Sequence, residues 1–230
     1  DFPTPLVTVD PRGSRSHAGA RFGVLRQGGM ASLLVRNETV AGLWHFDGRS
    51  WIADPKGLTG LEADTPLFTS QGGCDRGVRL RDLDGDGICE LIVGNEAQQA
   101  VFSRSADAQA WRRLPLTLPP GATIVDARGR DAGLRFVDID GDLRDDVVFS
   151  NAQRYDICLY RSLAEGWSRR YLSGQREEGS PIPMIVRGDG TNNGAWFKGG
   201  HMYVQNENTG AALPNHVDFR SYTGFLRVAK

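Results

Sequence analysis

The chain has 230 residues, of which 40% are apolar and 24% are charged, a balance typical of a globular domain that can bury a sizeable core. Its formal net charge is −1 and its Lys and Arg residues are scattered, which argues against a nucleic-acid-binding surface. No apolar stretch approaches the roughly 20 residues of a membrane-spanning helix, so we expect no membrane span.

The first predicted group of strands covers approximately residues 20–60. The segments Val40–Phe46 and Ser50–Ile52 are predicted strands joined at Asp47-Gly48, a dipeptide typical of a tight hairpin turn. The loop before them, Arg26–Ser32, contains no acidic residue, so it offers no carboxylate to a cation.

The second segment, approximately residues 75–120, contains Asp82–Glu90, which we call the first acidic loop. Its closely spaced carboxylates would repel one another in a compact loop, and Ca²⁺, which takes about six to eight oxygen ligands, removes that repulsion. The loop predicts a calcium site formed by the side chains of Asp82, Asp84, Asp86 and Glu90 and by the backbone carbonyl of Ile88.

The residues around the first acidic loop exclude an EF-hand, which has a helix on each side. Val78–Leu80 and Leu91–Val93 have the alternating or β-branched patterns of strands. In addition, Val93 stands where an EF-hand loop has its twelfth-position acid. The alternative to a calcium site is a solvated acidic turn without a cation.

The third segment, approximately residues 123–173, repeats this pattern. Gly133–Asn151 aligns with Gly77–Asn95 without a gap, and Leu143 replaces Gly87. The second acidic loop, Asp138–Asp146, therefore predicts a second calcium site. Its ligands would be the side chains of Asp138, Asp140, Asp142 and Asp146 and the backbone carbonyl of Arg144.

Four asparagines mark an internal repeat that extends into a fourth segment, approximately residues 184–230. Asn37, Asn95, Asn151 and Asn206 are separated by steps of 58, 56 and 55 residues. A period of this size indicates a repeat architecture and provides room for four short strands and their turns. The sequence therefore predicts an all-β propeller of four-stranded antiparallel blades, with about four blade equivalents.

The repeats resemble the FG-GAP or VCBS repeats of integrin-like β-propellers, and the resemblance rests mainly on the two acidic loops. It implies a calcium-binding propeller whose metal loop joins the first two strands of a blade. Thr191–Phe197, Gln205–Glu207 and Asn215–Asp218 give a second resemblance, to a propeller module of large extracytoplasmic bacterial dehydrogenase-cytochrome proteins.

The stretch Met184–His201 is rich in Gly, Asn and Thr and predicts a long irregular loop. Two interpretations of its aromatic residues remain open. Either they pack into the central channel or against a neighbouring blade, or they belong to a ligand or partner surface. The candidate residues for such a surface are Asn192, Asn193, Trp196, Phe197 and His201.

No nucleophile, base and orienting residue form a catalytic motif in the sequence. We therefore expect a non-catalytic scaffold or a partner-binding or glycan-binding module. The alternative is a subunit or fragment of a multidomain oxidoreductase whose redox centre lies on other segments. Calcium loops of modest affinity stay filled only where calcium is abundant, which favours a periplasmic or secreted location.

The closure of the propeller is the last question that the sequence raises. We expect an open arc of blades that another segment or chain of the same parent protein completes. The alternative is a closed four-bladed ring, in which Leu6–Val9 would pair with Phe225–Val228.

Overall fold

The computed structural model describes residues 1–9, 12–61, 66–104 and 110–228, so the last two residues of the predicted fourth segment lie outside the described residues. The described residues form four small antiparallel blade sheets, and the fold class is an all-β propeller with four blade equivalents, as predicted. The chain divides into two compact units. The first comprises Asp1–Thr117 and Ala127–Arg130, and the second comprises Leu118–Asp126 and Asp131–Lys230.

The first unit begins with a hairpin of β1 (Val7–Val9) and β2 (Arg15–His17). The first blade sheet follows, with the order β3-β4-β5-β6. Its strands are β3 (Arg21–Val24), β4 (Ala31–Arg36), β5 (Ala41–Phe46) and β6 (Trp51–Asp54). The predicted tight turn joins β5 to β6, and Gly48 in that turn has a φ of 94°.

The second blade sheet follows a hairpin of β7 (Ser70–Gln71) and β8 (Cys74–Asp75). The order of its strands is β9-β10-β11-β12. They are β9 (Val78–Arg81), β10 (Glu90–Gly94), β11 (Gln99–Ser103) and β12 (Arg112–Arg113). Every residue of β10 is buried, which is typical of a strand covered on both faces.

The core of the first unit lies between these two blade sheets. Leu34 and Leu43 of the first sheet pack in one cluster with Leu91, Val93 and Phe102 of the second, and each of them is at most 1% exposed. Complete burial of a side chain of this size stabilises the fold by about 1.5–3 kcal/mol. This packing explains why the apolar residues recur in each strand.

The second unit contains the third blade sheet, with the order β13-β14-β15-β16. Its strands are β13 (Leu134–Val137), β14 (Asp146–Ser150), β15 (Arg154–Leu159) and β16 (Arg169–Gln175). The register between β15 and β16 shifts at Ile157 and Cys158, as at a β-bulge.

The fourth blade sheet has three strands in the described part of the chain, with the order β17-β18-β19. The elements of this region are β17 (Ala195–Lys198), β18 (His201–Val204), α1 (Glu207–Ala212), β19 (Asp218–Ser221) and α2 (Tyr222–Val228). Met202 and Val204 pack in one core cluster with Val148 and Ile157 of the third sheet.

The strand pairing considered for ring closure is wrong. Val7–Val9 pairs with Arg15–His17, and Phe225–Val228 belongs to helix α2. The helix forms because Tyr222, Phe225 and Leu226 stand at the helical spacing that places apolar side chains on one face. Tyr222 and Phe225 are buried in the core cluster of this unit, and Leu226 packs against it.

The recurring asparagines have one structural role in all four repeats. The side-chain oxygen of each accepts hydrogen bonds at 2.8–3.1 Å from the backbone N–H groups two and three residues further on. This bonding fixes the turn that follows the second strand of each blade sheet. In the fourth repeat the turn continues into α1, and Asn206 is its N-cap.

Candidate metal centres

The two acidic loops occupy the same place in their sheets. The first joins β9 to β10 and the second joins β13 to β14, so each lies between the first two strands of a blade. Asp82 accepts hydrogen bonds from the backbone N–H groups of Gly85 and Gly87 at 2.8 and 3.0 Å. Asp138 accepts the corresponding bonds from Gly141 and Leu143 at the same distances. The first carboxylate of each loop therefore folds the loop around itself.

Each loop brings three carboxylates together. In the first loop, oxygen atoms of Asp82, Asp84 and Asp86 lie within 4.8 Å of one another. In the second loop, oxygen atoms of Asp138, Asp140 and Asp146 do the same. Both clusters could hold a metal ion.

Glu90 and Asp142, the remaining predicted side-chain ligands, interact electrostatically with these clusters. The predicted carbonyl ligands, Ile88 and Arg144, sit close to the acids through their backbone. The N–H of Ile88 donates to Asp86 at 2.7 Å and the N–H of Arg144 donates to Asp142 at 2.9 Å. Their part in binding an ion, like the complete ligand sets, stays a prediction.

The last carboxylate of each loop is buried. Glu90 is 3% exposed and accepts a hydrogen bond from the backbone N–H of Leu83 at 2.9 Å. Burial raises its pKa to about 7, and the neighbouring Asp84, Asp86 and Asp82 add to the rise. Burial and neighbouring negative charges favour the protonated form of a carboxylate, and a bound cation favours the ionised form instead.

Asp146 is more firmly anchored than Glu90. It is completely buried and accepts hydrogen bonds from the backbone N–H groups of Ile139, at 2.9 Å, and Tyr160, at 2.7 Å. Burial raises its pKa to about 6, with Asp140 and Asp142 contributing, while the two hydrogen bonds oppose the rise. The donors present at both sites are oxygen atoms, which fits a hard cation.

The second acidic loop contains a strained residue that the first lacks. Gly87 has a φ of 86°, and Leu143, at the same repeat position, has a φ of 67°. A left-handed conformation costs a residue with a Cβ roughly 1–2 kcal/mol. Leu143 is 92% exposed, so burial of its side chain does not compensate for this strain.

The corresponding loops of the first and fourth sheets differ from the acidic loops. The loop between β3 and β4 contains no acidic side chain, as predicted. β17 and β18 are joined directly at Gly199 and Gly200, which both have positive φ. The four repeats therefore share the blade sheet, whereas the acidic loop belongs to the two middle repeats.

The candidate ligand or partner residues of the last segment do not lie on one irregular loop, so that conformational prediction is wrong. Trp196 and Phe197 belong to β17, and His201 begins β18. Phe197 packs against the core while Trp196 remains exposed, which is the alternation of a strand. The ligand role of these residues stays a prediction.

Asn192 and Asn193 have structural partners. Asn192 accepts a hydrogen bond from the N–H of Gly194 at 2.7 Å, as Asp75 and Asp131 do from Gly77 and Gly133 before β9 and β13. This Asp/Asn-x-Gly turn is a repeat signal that the sequence analysis missed.

Asn193 is buried and bonded on both sides of its amide group. Its Nδ2 donates to the carbonyl of Met184 at 2.8 Å, and its Oδ1 accepts from Arg187 at 2.8 Å and from Asn206 at 2.9 Å. These contacts connect the segment before β17 to the end of β18.

Comparisons of the chain with protein-family models, with curated proteins and with solved structures found no match. Within the described residues, no helix has the length and apolar character needed to cross a membrane. The fold and the sites together define an all-β protein of the propeller class with two acidic clusters that could hold metal ions.

Proposed function

We propose that this chain is a calcium-binding β-propeller module of the FG-GAP or VCBS type, and that its two ions are structural. The observation that carries the proposal is the pair of buried carboxylates, Glu90 and Asp146, each of which closes an acidic loop at the start of a buried strand. A cation is the simplest partner for two such groups, because burial and the neighbouring acids disfavour their ionised forms and a bound cation favours them.

Several features favour calcium over a softer metal. The candidate donors are carboxylate and backbone oxygens, which suit Ca²⁺, whereas thiolate and imidazole select zinc and copper. Cys89 stands next to Glu90, but burial raises the pKa of its thiol, which therefore stays protonated at neutral pH and does not act as a soft ligand.

The proposed role is that of a non-catalytic scaffold or binding domain. A carboxylate bound to calcium stays ionised and is not free to transfer protons, so the acidic loops are poor candidates for general acids. Modest-affinity sites need abundant calcium, which supports a periplasmic or secreted location. The partners would be other domains or chains of the same parent protein.

Calorimetric titration of calcium into chelator-stripped protein tests this proposal. We expect two binding events in the wild type, loss of one in Asp84→Ala and loss of the other in Asp140→Ala. Gln27→Ala, in the acid-free loop of the first repeat, is the matched control and should keep both. The absence of calcium-dependent heat, or equal losses in Asp84→Ala and Gln27→Ala, would contradict it.

A further inference from the structure

The outer face of the fourth blade sheet carries a row of aromatic side chains. Trp196, Tyr203 and Phe219 stand directly opposite one another on β17, β18 and β19. The ring centroids of Trp196 and Tyr203 are 5.2 Å apart, and those of Tyr203 and Phe219 are 6.4 Å apart. Residues on the reverse face of β17 and β18 supply the core, so the row is not needed to fill it.

The two ends of the row remain in contact with solvent. Trp196 is 40% exposed and Phe219 is 58% exposed, while Tyr203 between them is half-buried. Solvated aromatic rings that are aligned and braced by their neighbours mark a binding surface more often than isolated exposed residues do.

A cavity of about 490 Å³ adjoins this row. Phe219 of the row lines it together with His201, whose ring centroid is 6.0 Å from that of Phe219. His201 donates from Nδ1 to the carbonyl of Gly199 at 2.9 Å, so Nε2 of the neutral ring is an acceptor. Arg220 and Ser221 add donors to the wall of the cavity. A concave site with an aromatic wall and a few convergent polar groups is typical of a small-ligand site.

The charges around the cavity favour a ligand without net charge. Arg220 forms a two-point ion pair with Asp218, at 2.9 and 3.1 Å. The pair retains free hydrogen-bonding capacity, because the guanidinium has five donors and the carboxylate has further lone pairs. Lys198, opposite His201 on the same face, adds one positive charge, so binding of an anion is the competing outcome that must be tested.

We propose that this surface binds sugar rings of a neutral glycan. The apolar C–H face of a pyranose would lie against Phe219 or Trp196, and its hydroxyl groups would bond to His201, Ser221 and Arg220, which line the cavity. Asp218 would act only by holding the Arg220 guanidinium. The proposal deepens the scaffold function above by naming a ligand class, and it rests on the fourth sheet rather than on calcium.

Affinity electrophoresis through gels that contain soluble β-glucan, α-mannan or galactomannan tests the proposal, with heparin as the charged comparison. We expect retardation by at least one neutral polymer, and binding about tenfold weaker in Phe219→Ala and Trp196→Ala. Phe219→Trp should keep binding. Phe22→Ala is the matched control, because Phe22 is 46% exposed on the first sheet.

The remaining outcomes would overturn the proposal: no retardation by any neutral polymer, retardation by heparin alone, or equal loss in Phe22→Ala. Self-association of the wild type that Phe219→Ala abolishes would assign the face to contact between copies instead.

A charge variant adds an independent check. Asp218→Asn leaves Arg220 without its partner, so neutral-glycan binding should weaken and retardation by heparin should appear. If neutral glycans and heparin retard this variant as they retard the wild type, the ion pair does not take part in binding. Repeating the gels with Asp84→Ala separates the two proposals, because loss of the first calcium site should leave glycan binding intact.

Discussion

The two acidic loops share their spacing, their position between the first two strands of a blade and the carboxylate that folds each loop. Two of their differences concern backbone strain and the attachment of the last carboxylate. Gly87 in the first loop corresponds to the strained Leu143 in the second, and Glu90, with one backbone donor, corresponds to Asp146, with two. Equal spacing of acids therefore does not make equal sites.

The difference separates two properties of a metal loop. The φ angle at Gly87 or Leu143 sets the strain of the loop, whereas the hydrogen bonds to Glu90 or Asp146 set how firmly the last carboxylate is attached to the sheet. The first loop combines low strain with loose attachment, and the second combines strain with firm attachment. Each property can be tested by itself.

Calcium removal should give the largest effect. A ligand that binds only the native state stabilises it by about 2.7 kcal/mol per site when its free concentration is a hundred times Kd. We therefore expect a clearly lower melting temperature in chelator than in calcium. Calcium removal should lower the melting temperature of Asp140→Ala, which retains the first loop, by more than that of Asp84→Ala, because the first loop is less strained. An unchanged melting curve in chelator would refute a structural role for calcium.

The attachment of the last carboxylate can be tested with amide variants. Glu90→Gln keeps a side-chain oxygen that accepts the hydrogen bond from the N–H of Leu83. Asp146→Asn has only one side-chain oxygen for the N–H groups of Ile139 and Tyr160, so its amide NH₂ faces the other N–H group. Leaving a buried donor unsatisfied costs about 1–3 kcal/mol. In urea unfolding with chelator, Asp146→Asn should be less stable than Glu90→Gln by about 2 kcal/mol. Equal stabilities would show that the second hydrogen bond contributes nothing.

The sequence predicted the acidic loops and the strands around them well, because their signals are local. Alternating acids, the glycines between them and the asparagine that closes the next turn all lie within 19 residues, from Gly77 to Asn95. It did not show which carboxylate oxygens converge. Asp86 joins the cluster of the first loop, whereas Asp142, at the same repeat position, is replaced in the second cluster by Asp146, because side-chain direction depends on the folded loop.

The fourth sheet was harder to predict because its strands are short and its glycines have separate roles. Gly194 precedes β17, and its φ of 71° and its close approach to the carbonyl of Gln205 require glycine. Gly199 and Gly200 form the hairpin. Three glycines so close together are typical of an irregular loop, although the residues between them form a four-residue strand. That hairpin is also the signal that could have placed Trp196 opposite Tyr203.

The pH dependence of calcium binding should also distinguish the loops. Both last carboxylates have raised pKa values, from 4.5 to about 7 for Glu90 and from 3.8 to about 6 for Asp146. In the calcium-free protein, each carboxyl group makes its full contribution to the free energy of unfolding below its ordinary pKa. That contribution is lost as pH rises through the raised pKa. Calcium needs the ionised form, so its affinity should fall as pH falls through the same range.

Two variants isolate the loops for this measurement. Between about pH 8 and pH 6, calcium affinity should fall about tenfold in Asp140→Ala, which retains the first loop, and about twofold in Asp84→Ala. The first loop is the more sensitive because Glu90 has one fewer backbone donor to favour its ionised form. Adding Glu90→Gln should remove the steep dependence, and identical pH profiles for the two loops would contradict the assignment.

The smallest expected effect concerns strain at Leu143. Leu143→Gly should stabilise the second loop by about 1 kcal/mol or less, because relief of the left-handed strain is partly offset by the greater freedom of glycine in the unfolded chain. Gly87→Leu should destabilise the first loop by a similar amount. Leu143→Ala is the matched control, since it removes the same exposed side chain but keeps a Cβ at a φ of 67°, and it should gain nothing. Urea unfolding in chelator and calcium titration should be made on all three variants. If the strain is present in both the calcium-free and the calcium-bound loop, the free energy of unfolding changes while Kd for calcium does not. If calcium binding imposes the strain, Kd for calcium changes instead.

A gain in Leu143→Ala equal to that in Leu143→Gly would show that the exposed side chain, rather than the backbone, weakens the second loop.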